Sequence, residues 1–201
     1  MTRHVGRGVG WLLCAAALLL VAVTVGRAVL SERQTAEAQT VLRHELGATD
    51  AGARDGRHPV ARSVSPGHAL ADLRIPRLGD RWSWVVVEGT TADDLAQGPG
   101  HYSGTPLPGA RGNAAIAGHR AGHGDPFLEF DLLRPGDAVE LTQGDVTWRY
   151  AITTSPRIVP ATASWVLDPL PGRQLTLTTC WPRYGSSKRM FVRATLTGTE
   201  R

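Results

Sequence analysis

Leu175-Thr-Leu-Thr-Thr-Cys180, with Lys188-Arg-Met-Phe-Val-Arg-Ala-Thr-Leu196 eight residues further on, sets the architecture of this chain. Successive strand side chains point to opposite sides of a sheet. In the first segment Leu175 and Leu177 therefore share one face, and Thr176, Thr178 and Cys180 share the other. In the second, Met190, Val192, Ala194 and Leu196 share the core face, opposite Arg189, Phe191, Arg193 and Thr195. Two adjacent strands are predicted, with a thiol at the end of one and an arginine at the start of the next, both on the side away from the core.

The same character extends over residues 69–198, with short apolar runs punctuated by Gly and Pro. That pattern predicts an all-β barrel or sandwich. Strands are expected over 71–78, 82–88, 114–118, 138–142, 146–154, 157–159, 174–180 and 189–197, about eight in all, with Gln143-Gly144-Asp145 as a hairpin connection. Short helical pieces are expected over 91–96, where Thr91 and Asp94 resemble a capping box, and over 126–133.

Upstream, the uncharged run 8–26 spans roughly 28 Å as a helix, close to the thickness of a bilayer's hydrocarbon layer. Arg3 and Arg7 precede it, which by the positive-inside rule leaves residues 1–7 in the cytoplasm and exports the chain beyond residue 27. A cleaved signal peptide is the alternative. The core is longer than a usual signal core, however, and Arg27 comes after it without a small-x-small cleavage site. Cys14 lies within the span behind Leu12 and Leu13, where a lipid-attachment site needs small residues. A polar helix is expected over 31–47, and 48–68, nearly devoid of bulky apolar residues, is expected to be a flexible tether. The domain reading is thus a tail 1–7, an anchor 8–27, a stalk and linker 28–68 and a folded domain 69–198.

Composition narrows the function classes. The net charge of +4 comes partly from arginines flanking the anchor, and no basic cluster is interleaved with aromatics, so no nucleic-acid partner is expected. Cys180 is the one cysteine on the exported side. In an oxidising compartment an unpaired cysteine is either buried and inert or kept for its reactivity.

In Asn113-Ala-Ala-Ile-Ala-Gly-His119-Arg, parity with an inward Ile116 puts His119 on the same non-core side as Cys180 and Arg189. The trio suits acyl transfer. A thiolate attacks a carbonyl, an imidazole carries the proton, and a permanently charged guanidinium binds the oxyanion or the substrate backbone. His101 is a rival base, and Arg183 and Arg193 are rival cations. His123, four residues after His119 in a glycine-rich loop with no intervening carboxylate, does not make a zinc pair. No metal and no cofactor are expected. Trp82, Trp84, Trp148 and Trp165 read as core or rim aromatics.

The Thr176-Leu-Thr-Thr-Cys180 motif, the downstream Arg189 before an apolar strand and Ala117-Gly-His119-Arg resemble a sortase, a family of membrane-anchored cysteine transpeptidases of Gram-positive bacteria. Leu73-Arg-Ile-Pro-Arg-Leu78, Gly98-Pro-Gly-His-Tyr102 and Leu133-Arg-Pro-Gly-Asp137 add to the likeness, which covers roughly residues 70–198. The resemblance implies a closed eight-stranded β-barrel. It also implies cleavage of a C-terminal sorting signal between Thr and Gly, a thioacyl enzyme, and transfer to an amine of a peptidoglycan precursor or of a pilin. By resemblance Cys180 is the nucleophile, His119 the acid/base, Arg189 the substrate and oxyanion stabiliser, and Thr179 a residue lining the groove. The anchor and the 98–102 segment look most like class E, the actinobacterial housekeeping type, which favours Leu-Ala-x-Thr-Gly over Leu-Pro-x-Thr-Gly signals, with Tyr102 as a candidate determinant of that preference. Trp181 departs from the pattern, where a smaller or polar residue is usual, and is expected to narrow the groove or stack on substrate. Partners implied are sorting-signal-bearing secreted proteins, the amine acceptor and, through the N-terminal helix, membrane lipid. The competing readings are a tethered β-domain for binding or adhesion and a cysteine L,D-transpeptidase.

Overall fold

The computed structural model describes residues 3–51 and 61–201. In chain order the elements are α1 (Arg3–Ala51), β1 (Ala69–Arg74), β2 (Ser83–Glu88), α2 (Ala92–Gln97), β3 (Gly100–His101), β4 (Gly112–Ala117), β5 (Ala138–Gln143), β6 (Val146–Ile152), β7 (Arg157–Pro160), β8 (Arg173–Trp181) and β9 (Lys188–Glu200).

One sheet runs in the order β6-β5-β1-β2-β3-β4-β8-β9-β7, and β6 also pairs with β9. That second pairing closes a ring of eight strands, the barrel expected from the sequence. The long β9 makes closure possible by serving two partners, with Lys188–Phe191 against β7 and Ala194–Glu200 against β6. Closure removes the unpaired edges that would otherwise template aggregation.

The inside is set by strand parity. Leu175 and Leu177 of β8 lie opposite Ala194 and Val192 of β9, and all four are buried in the main core. β5 and β6 alternate buried and more exposed positions, as a one-sided strand should. β8 does not alternate. Thr176 and Thr178, on its outer face, are buried as well, because the segment after β7 folds over them. Asn113 Nδ2 donates to Val166 O and Asp168 O, at 3.2 and 3.1 Å, while its Oδ1 accepts from Thr176 Oγ1 at 2.7 Å. Beneath that segment Val159, Val166 and Phe191 form a satellite cluster.

Several local expectations change in the structure. The strand expected to reach Leu78 stops at Arg74, and Pro76–Leu78 forms a 3-10 turn, since Pro76 has no N–H to donate to a ladder. The helix expected over 126–133 contracts to a 3-10 turn, Phe130–Leu132. The two-residue β3, which begins on Gly100 and follows Gly98-Pro99, carries no apolar alternation and gives no strand signal. The capping box does form: Thr91 N donates to Asp94 Oδ2, and Asp94 N to Thr91 Oγ1.

α1 continues past the apolar run and, through one stripe, docks on the barrel. Thr35, Gln39, Leu42 and Leu46 fall on one helical face and are buried. Gln39 meets β2 as a strand would, with Val85 N donating to Oε1 at 2.8 Å and Nε2 donating to Val85 O at 2.9 Å and to Gln97 O at 2.9 Å. Leu42 and Leu46 pack with Ala69, Val85 and Val87. Of the expected tether, residues 52–60 lie outside the described residues. Residues 61–68 are corrected from spacer to strap: Ala61 is buried and donates its N–H to Pro108 O, and Arg62 N donates to Gln143 Oε1. Val64 packs against the core and Gly67 N donates to Glu88 O, so the strap is held by backbone hydrogen bonds and two small apolar contacts although half of its residues are exposed.

Replacing Gln39 by alanine leaves Val85 N and O buried without partners, at about 1–3 kcal/mol. Faster hydrogen exchange at the Val85 amide, with the β8 and β9 amides unchanged, is the expected result.

Candidate active site

β4 and β8 run parallel, with Ala117 opposite Thr178, and the ladder continues past the end of β4 as Gly118 N donates to Thr178 O at 3.0 Å. Thr179 Oγ1 donates to Gly118 O at 2.8 Å, clamping the two strand ends together. This sets His119, one residue on, beside Cys180. Gly118 is required by packing: a Cβ there would sit 2.5 Å from the Phe127 ring. Phe127 N in turn donates to His119 O at 2.9 Å.

His119 and Cys180 line the same cavity, of about 630 Å³. Cys180 is half-buried and free. The His119 ring stacks on His123, centroids 4.8 Å apart. Its pKa is pushed below the ordinary histidine value, by burial first and then by repulsion from His123. The imidazole is therefore held toward its neutral form, the form able to accept a proton.

Arg189 is the direct cross-strand partner of Cys180, so the two side chains leave the same face of the barrel. Its Nη1 donates to Ser186 O and Lys188 O, at 3.1 and 3.2 Å, which lays the guanidinium along the β8–β9 connection. It lines a second cavity, of about 330 Å³, with Tyr102, Thr178, Ser164, Leu167 and Phe191. The trio is thus split: thiol and imidazole share one cavity, and the guanidinium faces the next. Tyr102 is fixed there by Oη 3.3 Å from Thr178 Oγ1 and by its N–H donating to Ala115 O.

Two expectations are corrected. Thr179 does not line the groove; it lies on the inner side of β8, buried, with its hydroxyl spent on Gly118 O. Trp181 neither narrows the groove nor faces a substrate, because parity turns it away from Cys180; it packs against the core with the Arg120 guanidinium 4.6 Å above its ring. The rival base His101 is buried, with Nδ1 2.8 Å from Glu88 Oε2 and Nε2 within reach of Pro106 O and Thr105 Oγ1. It braces the loop that carries Tyr102. Arg193 stacks near Trp165 and Phe191, away from the sulfur. Arg183 does line the His119 cavity, as do Ala28, Ser31 and Glu32 of α1, which no local sequence signal places there.

A closed barrel with a thiol and an imidazole at adjoining strand ends has the groups that acyl transfer through sulfur requires. The Sortase domain signature matches residues 73–197, and this chain belongs to the sortase family. Sortase SrtE1 of Streptomyces coelicolor is 38% identical over an alignment of 151 residues that covers 65% of this chain and 41% of that protein, so the chain spans less than half of that relative. Sortase E from Streptomyces avermitilis superposes with a TM-score of 0.64 at 43% identity, over 68% of this chain and 93% of that one. Sortase E1 from Streptomyces coelicolor, solved with a tripeptide in the active site, gives 0.63 at 32%, over 69% and 93%. These relatives place the chain with the class E sortases.

Proposed function

We propose that the protein is a membrane-anchored cysteine transpeptidase that cleaves a sorting signal of the Leu-Ala-x-Thr-Gly or Leu-Pro-x-Thr-Gly type between Thr and Gly and passes the acyl group to an amine. The observation that carries this reading is the shared cavity of His119 and Cys180, with Arg189 directly across the strand pair. The neutral imidazole of His119 takes the Cys180 thiol proton, and the thiolate so formed attacks the threonine carbonyl carbon. The C–N bond breaks as the imidazolium of His119 gives its proton to the departing glycine amine. An incoming amine then attacks the thioester, gives its proton to His119 and expels the thiolate. Arg189 binds the developing oxyanion or the backbone beside it.

α1 is long and apolar enough to cross a membrane. With Arg3 and Arg7 ahead of the span, we place residues 1–7 in the cytoplasm, the anchor at 8–27 and the catalytic unit, 69–198, outside the cell. The secreted proteins carrying the signal are one class of partner, and a peptidoglycan precursor or pilin amine is the other. A binding module with an incidental cysteine is disfavoured by the placement of the thiol on a cavity wall beside an imidazole.

Incubation with a Leu-Ala-x-Thr-Gly peptide and triglycine tests the function. A product joining the threonine to triglycine is expected, and an intact peptide under conditions where the barrel is folded would refute it. Tyr102→Ala is expected to lower the preference for Ala over Pro at the second signal position about tenfold, the worth of one buried polar contact and its packing. Competition between the two peptides measures it, and an unchanged ratio removes Tyr102 from specificity.

A further inference from the structure

Acyl transfer through a thioester needs two sites around one sulfur, one for the acyl chain and one for the amine that leaves and the amine that replaces it. Cys180 lines one cavity, and Arg189, its direct cross-strand partner, lines another. The smaller, with Tyr102, Thr178 and Arg189, fits the acyl chain. The larger contains His119, and a proton carrier has to stand beside the amine nitrogen.

The outer wall of that larger cavity is not barrel at all. It is formed by Ala28, Ser31 and Glu32, from the turns of α1 just beyond the apolar run. The wall is fixed in place. Farther along the same helix Thr35 Oγ1 donates to Ala96 O, and Gln39 is clamped to β2. At the cavity Ser31 Oγ lies 3.2 Å from His123 Nδ1, and the His123 ring stacks on His119.

The barrel side of the cavity is held as firmly, by Arg120. It lines the same cavity while only 3% exposed. Its Nη2 donates to Asp131 Oδ1 at 2.7 Å and its Nε to Leu128 O at 3.4 Å, but its Nη1 is buried with no hydrogen-bond partner among the described residues. With those bonds, and with its guanidinium 4.6 Å above the Trp181 ring, Arg120 is a rigid part of the barrel-side wall opposite α1. The other charges around the cavity, Glu32, Asp125 and Arg183, are of both signs, which suits a ligand carrying an ammonium and carbonyl oxygens better than a simple anion.

We propose that this cavity is the subsite for the amine-bearing peptide, and that the membrane-proximal turns of α1 are its outer wall with Ser31 setting its width. The proposal rests on the transpeptidase reading. It makes the anchor helix part of the acceptor site, so that the acceptor is met at the bilayer surface.

The test uses the full chain in lipid nanodiscs, loaded with a sorting peptide to the thioacyl stage and then given triglycine; the readout is the ratio of aminolysis to hydrolysis. Ser31→Trp wedges the cavity and is expected to lower that ratio about tenfold or more, because water still enters where a peptide does not. Ala28→Phe, at an exposed helix position where folding is not in question, is expected to act in the same direction and decides the matter if Ser31→Trp does not fold. A ratio within about twofold of wild type in the wedged variants would overturn the proposal. So would folded wedge variants that cannot be loaded at all, since the cavity would then serve the acyl donor. Failure of the wild type to load strikes the transpeptidase reading instead.

Discussion

Arg189→Ala is expected to slow thioacyl formation about 100- to 1,000-fold, the usual cost of removing a principal oxyanion donor. The side chain leaves the same barrel face as Cys180, from the directly opposing position on β9. Its Nη1 is tied to Ser186 O and Lys188 O, so the guanidinium is held along the β8–β9 connection, on the cavity it shares with Tyr102 and Thr178. Those bonds are exposed and contribute little to stability, so the variant should melt close to the wild type while losing its rate. Arg189→Lys should recover only a small part, because an ammonium lacks the planar fork that can hold a backbone carbonyl and an oxyanion at once. Rapid-mixing measurement of the first turnover reads this directly. An Arg189→Ala variant with a nearly normal burst would transfer the role to Arg183, which lines the cavity of the thiol.

His119→Ala is expected to cost about 10²–10⁴ in the rate of acyl transfer, the span general acid–base catalysis supplies. The pH dependence carries the more specific expectation. Burial, and then His123, depress the His119 pKa below its ordinary value of about 6.5. The neutral imidazole therefore persists as the pH falls through the range where an exposed histidine would charge. His123→Ala removes the smaller of the two causes, so the titration of His119 should move up while staying below that of a free histidine, as tracked by its ring proton resonances. Stability has the same sign. The folded-state pKa is the lower one, so the contribution of His119 is fully present above the unfolded value of about 6.5 and is lost as the pH falls through the folded pKa.

The barrel was legible because its strands obey parity. Leu175 and Leu177 against Val192 and Ala194 is a pattern any one-sided strand pair shows, and it places Cys180 and Arg189 together with no further information. Other features needed contacts far apart in sequence. Thr179 sits next to the nucleophile in a motif that suggests substrate contact, yet parity turns it to the inner side of the strand. Trp181 shares that parity and finds Arg120 instead of a ligand. The burial of Thr176 and Thr178 depends on a segment that packs over the sheet from outside, which alternation within β8 cannot show. Least legible was α1. The buried stripe Thr35, Gln39, Leu42, Leu46 is half polar, so its hydrophobic pattern is weak, and Gln39 docks through hydrogen bonds to Val85 rather than through an apolar side chain. Composition reads such a helix as a solvated stalk when it is a packed strut.

Whether Cys180 carries the acyl group is decided by the intact mass of the protein after brief exposure to a Leu-Ala-x-Thr-Gly peptide, with the adduct then mapped to its proteolytic fragment. The expected gain equals the acyl portion ending in threonine, held as a hydroxylamine-labile thioester on Cys180 and absent in Cys180→Ala. An adduct on another residue, or turnover that survives in Cys180→Ala, would contradict the assignment of Cys180 as nucleophile.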